Sequence, residues 1–390
     1  MDSRESTKAL FLSTLAFAIS FALWGMIAPM AKTFQASLHL TEQMTWWLIA
    51  TPVLLGSVMR LPMGMLADRY GGRVVFGLLL LFIALPAFGL SQSTGYTGLL
   101  AWGLLLGMAG TSFTVGVAFA SKWFPPERQG LALGIFGIGT GGQSLALYFV
   151  PRLHLLWGWQ RTYQLFGAIA LVWGVVFLAL ARNAKTSVAP KSFGSMLRVL
   201  MEQPLCWLLG LFYFVTFGGF VALSLGLPKL LQSLFGLTPA DAGLRVAGFV
   251  VLSVALRPIG GWLSDRIGGA RLLVAVFLGA GVLALGLTSH QMVPFTTGAL
   301  GVAFFIGLGN GAVFKLVPEY FPKDTGTVTG LVGALGGLGG FFPPLVLGVI
   351  KTQTGSYTLG FVLLSLFCFT CLALNIAVFL RGRAAQAVAA

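Results

Sequence analysis

The chain has 390 residues, of which 57% are hydrophobic and 9% charged, with a mean hydropathy of +0.91. Soluble domains carry about 25% charge, so this composition excludes an ordinary soluble fold and indicates a polytopic membrane protein. The net charge of +14 would fit a nucleic-acid binder, but the basic residues are scattered over short loops, so no nucleic-acid partner is expected.

The opening MDSRESTKAL is polar and runs into a full-length apolar segment without a small-residue cleavage site. It reads as a first helix and not as a removed signal peptide. Twelve apolar segments follow one another: about 9–30, 45–66, 73–93, 98–121, 131–151, 162–181, 205–232, 243–264, 271–289, 294–315, 326–350 and 357–380. Each can cross a hydrocarbon core about 30 Å thick at 1.5 Å per residue, and they are numbered here as spans 1–12. An even number puts both termini on one side. With the N-terminus in the cytoplasm, 15 of the 24 Lys and Arg fall in cytoplasmic loops and tails, 6 outside, and 3 (Arg60, Arg257 and Lys315) within spans. That asymmetry obeys the positive-inside rule and accounts for the charge.

The longest polar stretch, 182–203, carries Arg182, Lys185, Lys191 and Arg198. It is expected to be a cytoplasmic linker with a short interfacial helix over 193–201. It divides the chain into an N-terminal bundle over 1–181 and a C-terminal bundle over 204–383, with a disordered tail over 384–390. The expected fold is all-α: twelve transmembrane helices in two six-helix bundles related by a pseudo-twofold axis. Cys206, Cys368 and Cys371 all lie in apolar segments. Their odd number and placement predict no disulfide framework and no metal site.

The halves repeat. GMLADRYGGR (64–73) and GWLSDRIGGAR (261–271) follow spans 2 and 8, and KWFPPERQG (122–130) and EYFPKDTG (319–326) follow spans 4 and 10. Parallel repeats of this kind place a shared site near mid-membrane. The loop after span 2, together with twelve spans and a central linker, resembles the major facilitator superfamily over the whole chain. Asp68, Arg69, Asp265 and Arg266 stand at the ends of spans 2 and 8. They either form a cytoplasmic latch by ion pairing or only fix loop geometry.

Arg60 and Arg257 stand eight residues before Asp68 and Asp265, and 197 positions apart (257 minus 60). Eight residues of helix place each about 12 Å from the loop, near mid-membrane and too deep for easy snorkelling. Such a residue costs roughly 2.5–3.5 kcal/mol on insertion scales and is a functional candidate. The acids are Asp2, Glu5, Glu42, Asp68, Glu127, Glu202, Asp241, Asp265, Glu319 and Asp324, and none is expected at that depth. Two planar guanidinium forks without a resident counter-ion suit a small planar oxyanion. Mutual repulsion in the empty state favours exchange over uniport. The three His (39, 154 and 290) lie near span ends, so no obvious proton relay exists. A proton-coupled symporter, with a proton travelling beside the anion or through Lys315 or Tyr213, is the alternative.

Spans 5 and 11 are dense in glycine, in GLALGIFGIGTGGQSLA (130–146) and GTVTGLVGALGGLGGFFPP (326–344). Glycine at that density permits close helix crossing in lipid. These segments, with GTSFTVGVAFASKWFPPERQGLALGIFGIG (110–139), GLGNGAVFKLVPEYFP (307–322) and the two arginines, resemble the nitrate/nitrite porters within the superfamily. The resemblance implies nitrate and nitrite as cargo, clamped by Arg60 and Arg257. It also implies wall contacts from Phe113, Tyr213 and Phe217, and glycine surfaces near Gly139, Gly141 and Gly337. The family often carries Asn in the span-5 motif where this chain has Thr140, whose hydroxyl takes that place. Asn310 in span 10 is a further polar candidate, for the anion or for a helix-to-helix bond.

A monomer in the cytoplasmic membrane is expected, with no cofactor. A carrier for another small anion and a membrane sensor are the competing readings. No nucleophile–base pair, metal cluster or cofactor loop marks an enzyme.

Overall fold

The computed structural model describes residues 3–124, 126–184, 194, 198, 201–321 and 325–381, with the side chains of 3, 68, 126–131, 318 and 325–327 undescribed. Most of the expected linker and the tail over 384–390 lie outside the described residues. All regular elements among the described residues are helical.

Among the described residues, ten helices are long and apolar enough to cross a membrane, and a bent pair, Glu42–Val58 with Arg60–Ala67, adds an eleventh. The apolar helix Ala132–Leu180 is 49 residues long. At 1.5 Å per residue that is about twice a bilayer core. It breaks at Gly158, whose φ of 79° and ψ of 161° are not helical, and so counts as spans 5 and 6. Twelve spans result.

Contacts divide the chain into two units, Met1–Phe193 with Leu225–Gly248, and Gly194–Ser224 with Phe249–Ala390. The C-terminal part of span 7 and the first residues of span 8 thus pack with the first unit. Ser144 Oγ donates to the Ala247 carbonyl at 3.4 Å in this group.

The sequence repeat is legible in the backbone. Thr41 opens span 2, its hydroxyl accepting from the Met44 amide at 3.2 Å. Thr238, 197 positions on, accepts from the Asp241 amide at 3.2 Å and donates to the Asp241 carboxylate at 2.8 Å. Both are helix N-caps. Gly71 and Gly268, again 197 apart, have φ of 85° and 90°, the left-handed region that favours glycine at the sharp turns after spans 2 and 8. In the first unit Arg73 donates to the Leu178 carbonyl at 2.5 and 3.0 Å, tying this turn to the end of span 6.

Glycine sets the closest crossings. A Cβ added at Gly142 would overlap the Ala18 carbonyl, and one at Gly339 the Phe214 carbonyl. Spans 5 and 1, and spans 11 and 7, are therefore in backbone contact, which in lipid brings dispersion contacts that larger residues would block. Span 1 breaks between Trp24 and Ile27, and the buried Tyr163 hydroxyl donates to the Met26 carbonyl there at 3.1 Å.

Candidate functional site

Four spans depart from α-helical geometry where the sequence places candidate residues. Span 2 bends by 40° at Met59, immediately before Arg60. Span 4 tightens to a 3-10 turn over Gly107–Thr111, just before Phe113. Span 5 does so over Ile138–Gly141, which holds Gly139, Thr140 and Gly141. Span 7 widens to a π-helix over Phe214–Gly218, next to Tyr213 and including Phe217. Such departures are frequent at functional sites.

In the first unit Arg60 is 3% exposed. One turn to either side, span 2 presents glycine to span 4. A Cβ at Gly56 would stand 3.4 Å from Gly110 Cα, and one at Gly64 would stand 3.0 Å from Thr114 Cγ2. Arg60 therefore lies on the span-2 face that packs against span 4. Phe113 is 5.8 Å from Phe17, whose ring stacks on Phe136 at 4.7 Å. A Cβ at Gly139 would meet Phe17 Cδ1 at 2.6 Å, so this glycine makes room for the ring. Gly141 has open space beyond its Cα, and Thr140 is 1% exposed. The structure thus joins Phe113 and Gly139 through Phe17.

In the second unit Arg257 lies among aromatic rings, its guanidinium carbon 5.3 Å from the Phe217 centroid and 5.1 Å from that of Phe220. Tyr213 stacks on Phe217 at 5.0 Å with an interplanar angle of 4°, and meets Phe314 edge-on at 4.7 Å. A Cβ at Gly336 would overlap the Tyr213 ring, so span 11 is hollowed to receive it, and Gly337 beside it is buried. Spans 8 and 10 touch through backbone: a Cβ at Gly311 would stand 2.5 Å from the Arg257 carbonyl. Asn310 is buried, and its Oδ1 and Nδ2 have no hydrogen-bond partner among the described residues. A helix-to-helix bond from Asn310 is not made among the described residues.

Four carboxylates have described side-chain contacts. Glu42 meets Lys229, Asp241 caps its own helix, Asp265 meets Lys315 at 2.6 Å, and Glu202 meets Arg198 at 3.7 Å. Asp265 thus pairs within its own unit. Arg266 lies 4.1 Å over the Trp262 ring and Arg69 5.4 Å over Tyr70, while the Asp68 side chain is among the undescribed. No group of His, Cys, Asp and Glu that could hold a metal occurs among the described residues.

Sequence reasoning missed several residues. Phe220 and Phe314 are indistinguishable by type from the other 31 of 33 Phe. Ser253 and Thr216, fully buried with hydroxyls that have no partner among the described residues, look like ordinary small helix residues. Lys229 was expected outside; it sits inside helix Gly219–Phe235 with no exposure. Its signal was an acid four residues before a Trp, Glu42 and Trp46, at the start of span 2.

The family model described as the Major Facilitator Superfamily matches residues 13–344 and 209–389. Among curated proteins, the "Nitrite extrusion protein" of Bacillus subtilis (strain 168) is 37% identical over 91% of this chain and 90% of its own length. The "Probable nitrate/nitrite antiporter NarK1" of Thermus thermophilus is 37% identical over 93% and 89%. The "Probable nitrate transporter NarT" of Staphylococcus carnosus (strain TM300) is 36% identical over 94% and 95%. Among solved structures, a bacterial homolog of the human lysosomal transporter Spinster, inward-facing and unoccupied, superposes with a TM-score of 0.75. It covers 98% of this chain and 99% of that one at 16% identity, a likeness of fold alone.

Proposed function

The chain belongs to the Major Facilitator Superfamily and to its nitrate/nitrite porters, and on that premise we propose that it exchanges nitrate and nitrite across the cytoplasmic membrane. It is a multi-pass membrane transporter and not an enzyme. Arg60 and Arg257 each offer a guanidinium fork to the anion, bidentate in a way an ammonium is not. The observation that carries this reading is that both arginines stand inside spans, Arg60 buried and Arg257 half-buried, in unlike walls. Arg60 stands at a helix break, and Arg257 lies against the faces of Phe217 and Phe220.

The chemistry follows from charge and shape. Aromatic faces attract the cation weakly, by about 0.5–2 kcal/mol, and leave its edge of N–H donors directed elsewhere. That edge matches the paired oxygens of nitrate or nitrite. Tyr213 adds a hydroxyl at the same wall, and Phe113, Gly139, Thr140, Gly141 and Gly337 shape the remaining surface. Without an anion the buried positive charge resists burial during reorientation, so movement is coupled to cargo in both directions. This supports exchange between the two anions. Both termini are cytoplasmic, the working unit is a monomer, and the Asp265–Lys315 pair with Arg266 over Trp262 fixes loop geometry in the second unit.

The test is transport by purified protein in liposomes loaded with nitrite or with no anion. Labelled nitrate entering only nitrite-loaded vesicles supports exchange. Uptake into empty vesicles driven by a pH gradient replaces it with proton symport.

A further inference from the structure

Because the two units share one repeat, each serves as a control for the other. In the first unit Arg60 is preceded one turn earlier by Gly56, and span 4 brings Gly110 and Phe113. The residues 197 positions on are Arg257, Ser253, Gly307 and Asn310. The helix crossings correspond. A Cβ at Gly56 would stand 3.4 Å from Gly110 Cα, and one at Gly307 would stand 2.6 Å from the Ser253 carbonyl. Polarity does not correspond: a bare backbone and a phenyl ring become a hydroxyl and a carboxamide.

Both polar side chains are enclosed, Ser253 at 0% and Asn310 at 3% exposure. Ser253 Oγ and both polar atoms of Asn310 make no hydrogen bond among the described residues. Buried polar groups are nearly always partnered, so three such atoms on two packed helices call for an occupant. Both helices carry the surroundings of Arg257. Ser253 is one turn before Arg257 on the same face of span 8, and Gly307 and Gly311 hold span 10 against that face. Asn310 shares a helix face with Phe314, four residues on, whose ring meets Tyr213 at 4.7 Å. Tyr213 in turn stacks on Phe217, against which the Arg257 guanidinium lies.

We propose that Asn310 and Ser253 are specificity-determining residues: neutral donors that supplement the arginines at the third oxygen of a planar three-oxygen anion, the one the Arg257 fork does not engage. This rests on the reading of Arg257 as anion-binding. A guanidinium fork engages two oxygens along one edge of nitrate, and the third points away from it. Nitrite ends there in a nitrogen lone pair and has no third oxygen. The amide of Asn310 and the hydroxyl of Ser253 can donate to that oxygen, and they add no charge that would attract every anion alike. Sites built to bond a particular group discriminate against analogues lacking it far more sharply than apolar pockets sort by size.

The experiment measures half-saturation for labelled nitrate and for labelled nitrite separately, in nitrite-loaded proteoliposomes of wild type, Asn310→Leu and Ser253→Ala. Asn310→Leu is expected to weaken nitrate relative to nitrite by about tenfold, and Ser253→Ala by about threefold. Losses equal for the two anions, or an unchanged ratio, overturn the inference while anion transport itself stands. If wild type moves neither anion, the underlying reading falls instead. Should Asn310→Leu not give monodisperse protein, Asn310→Ser decides: a shorter donor gives an intermediate ratio, and a wild-type ratio overturns the proposal.

Discussion

Lys229, wholly buried in span 7, places its Nζ 2.5 Å from Glu42 Oε1 on span 2. The same carboxylate accepts from Trp46 Nε1 at 2.9 Å and from Gln35 Nε2 at 3.3 Å, and the ammonium lies 4.9 Å from the Trp46 ring. This is the contact that binds the C-terminal part of span 7 into the first unit.

Its two ends are not equivalent. The Lys229 side chain is 0% exposed and that of Glu42 26%. Removing Glu42 leaves an ammonium buried without its counter-ion, which costs about 3–5 kcal/mol. Removing Lys229 leaves a carboxylate that water can reach. Thermal unfolding in detergent should therefore show Glu42→Gln more destabilised than Lys229→Met, and Glu42→Met with Lys229→Met less destabilised than Glu42→Gln alone. The reverse order of the two single variants would show that the pair is not the dominant interaction at either residue.

The Lys315–Asp265 pair is the contrasting case. At 2.6 Å it is as short, but its side chains are 43% and 60% exposed. Exposed pairs contribute about 0–1 kcal/mol, because water screens them and ordering two side chains costs entropy. Lys315→Met should shift the unfolding temperature little, and a loss comparable to that of Glu42→Gln would contradict this.

Matched glycines give a symmetric prediction. A Cβ at Gly142 collides with the Ala18 carbonyl and one at Gly339 with the Phe214 carbonyl, whereas Gly137 has nothing within 4 Å. Backbone cannot yield as a flexible side chain can. Gly142→Ala and Gly339→Ala should each sharply reduce the yield of monodisperse protein, while Gly137→Ala should retain it. Equal yields for all three would show that the crossings are looser than described.

Phe217 carries one of the two rings against Arg257. Phe217→Leu keeps an apolar side chain but removes the quadrupole and the stack on Tyr213. Losing a cation–π contact of about 1–2 kcal/mol frees the guanidinium to leave the pose that meets the anion, which bounds the loss of anion affinity at roughly 30-fold. It should appear as a raised half-saturation for exchange. Unchanged half-saturation would mean that the ring only fills space.

Much of this was legible because membrane solvent leaves few options. Twelve apolar runs, the 197-residue repeat and the placement of Arg60 and Arg257 inside spans follow from residue type and spacing. What the sequence did not reveal depends on which way a side chain turns. Phe220 and Phe314 could not be told from lipid-facing phenylalanines. Lys229, counted with the loops because it stands near a span end, is enclosed by its helix neighbours and Glu42. Asp265 spends its charge on Lys315 in span 10, fifty positions further along the chain (315 minus 265), a pairing that no local pattern encodes. Ser253 became visible only when its crossing with Gly307 was set beside that of Gly56 with Gly110.

Tracer exchange in nitrite-loaded proteoliposomes by Arg60→Lys and Arg257→Lys tests the account most directly. Each variant keeps its charge but loses the planar fork. The account predicts that both reconstitute as monodisperse protein and that each exchanges labelled nitrate at about a hundredth of the wild-type rate or less, as loss of a charge-assisted bidentate contact implies. Exchange at the wild-type rate by either variant would contradict it.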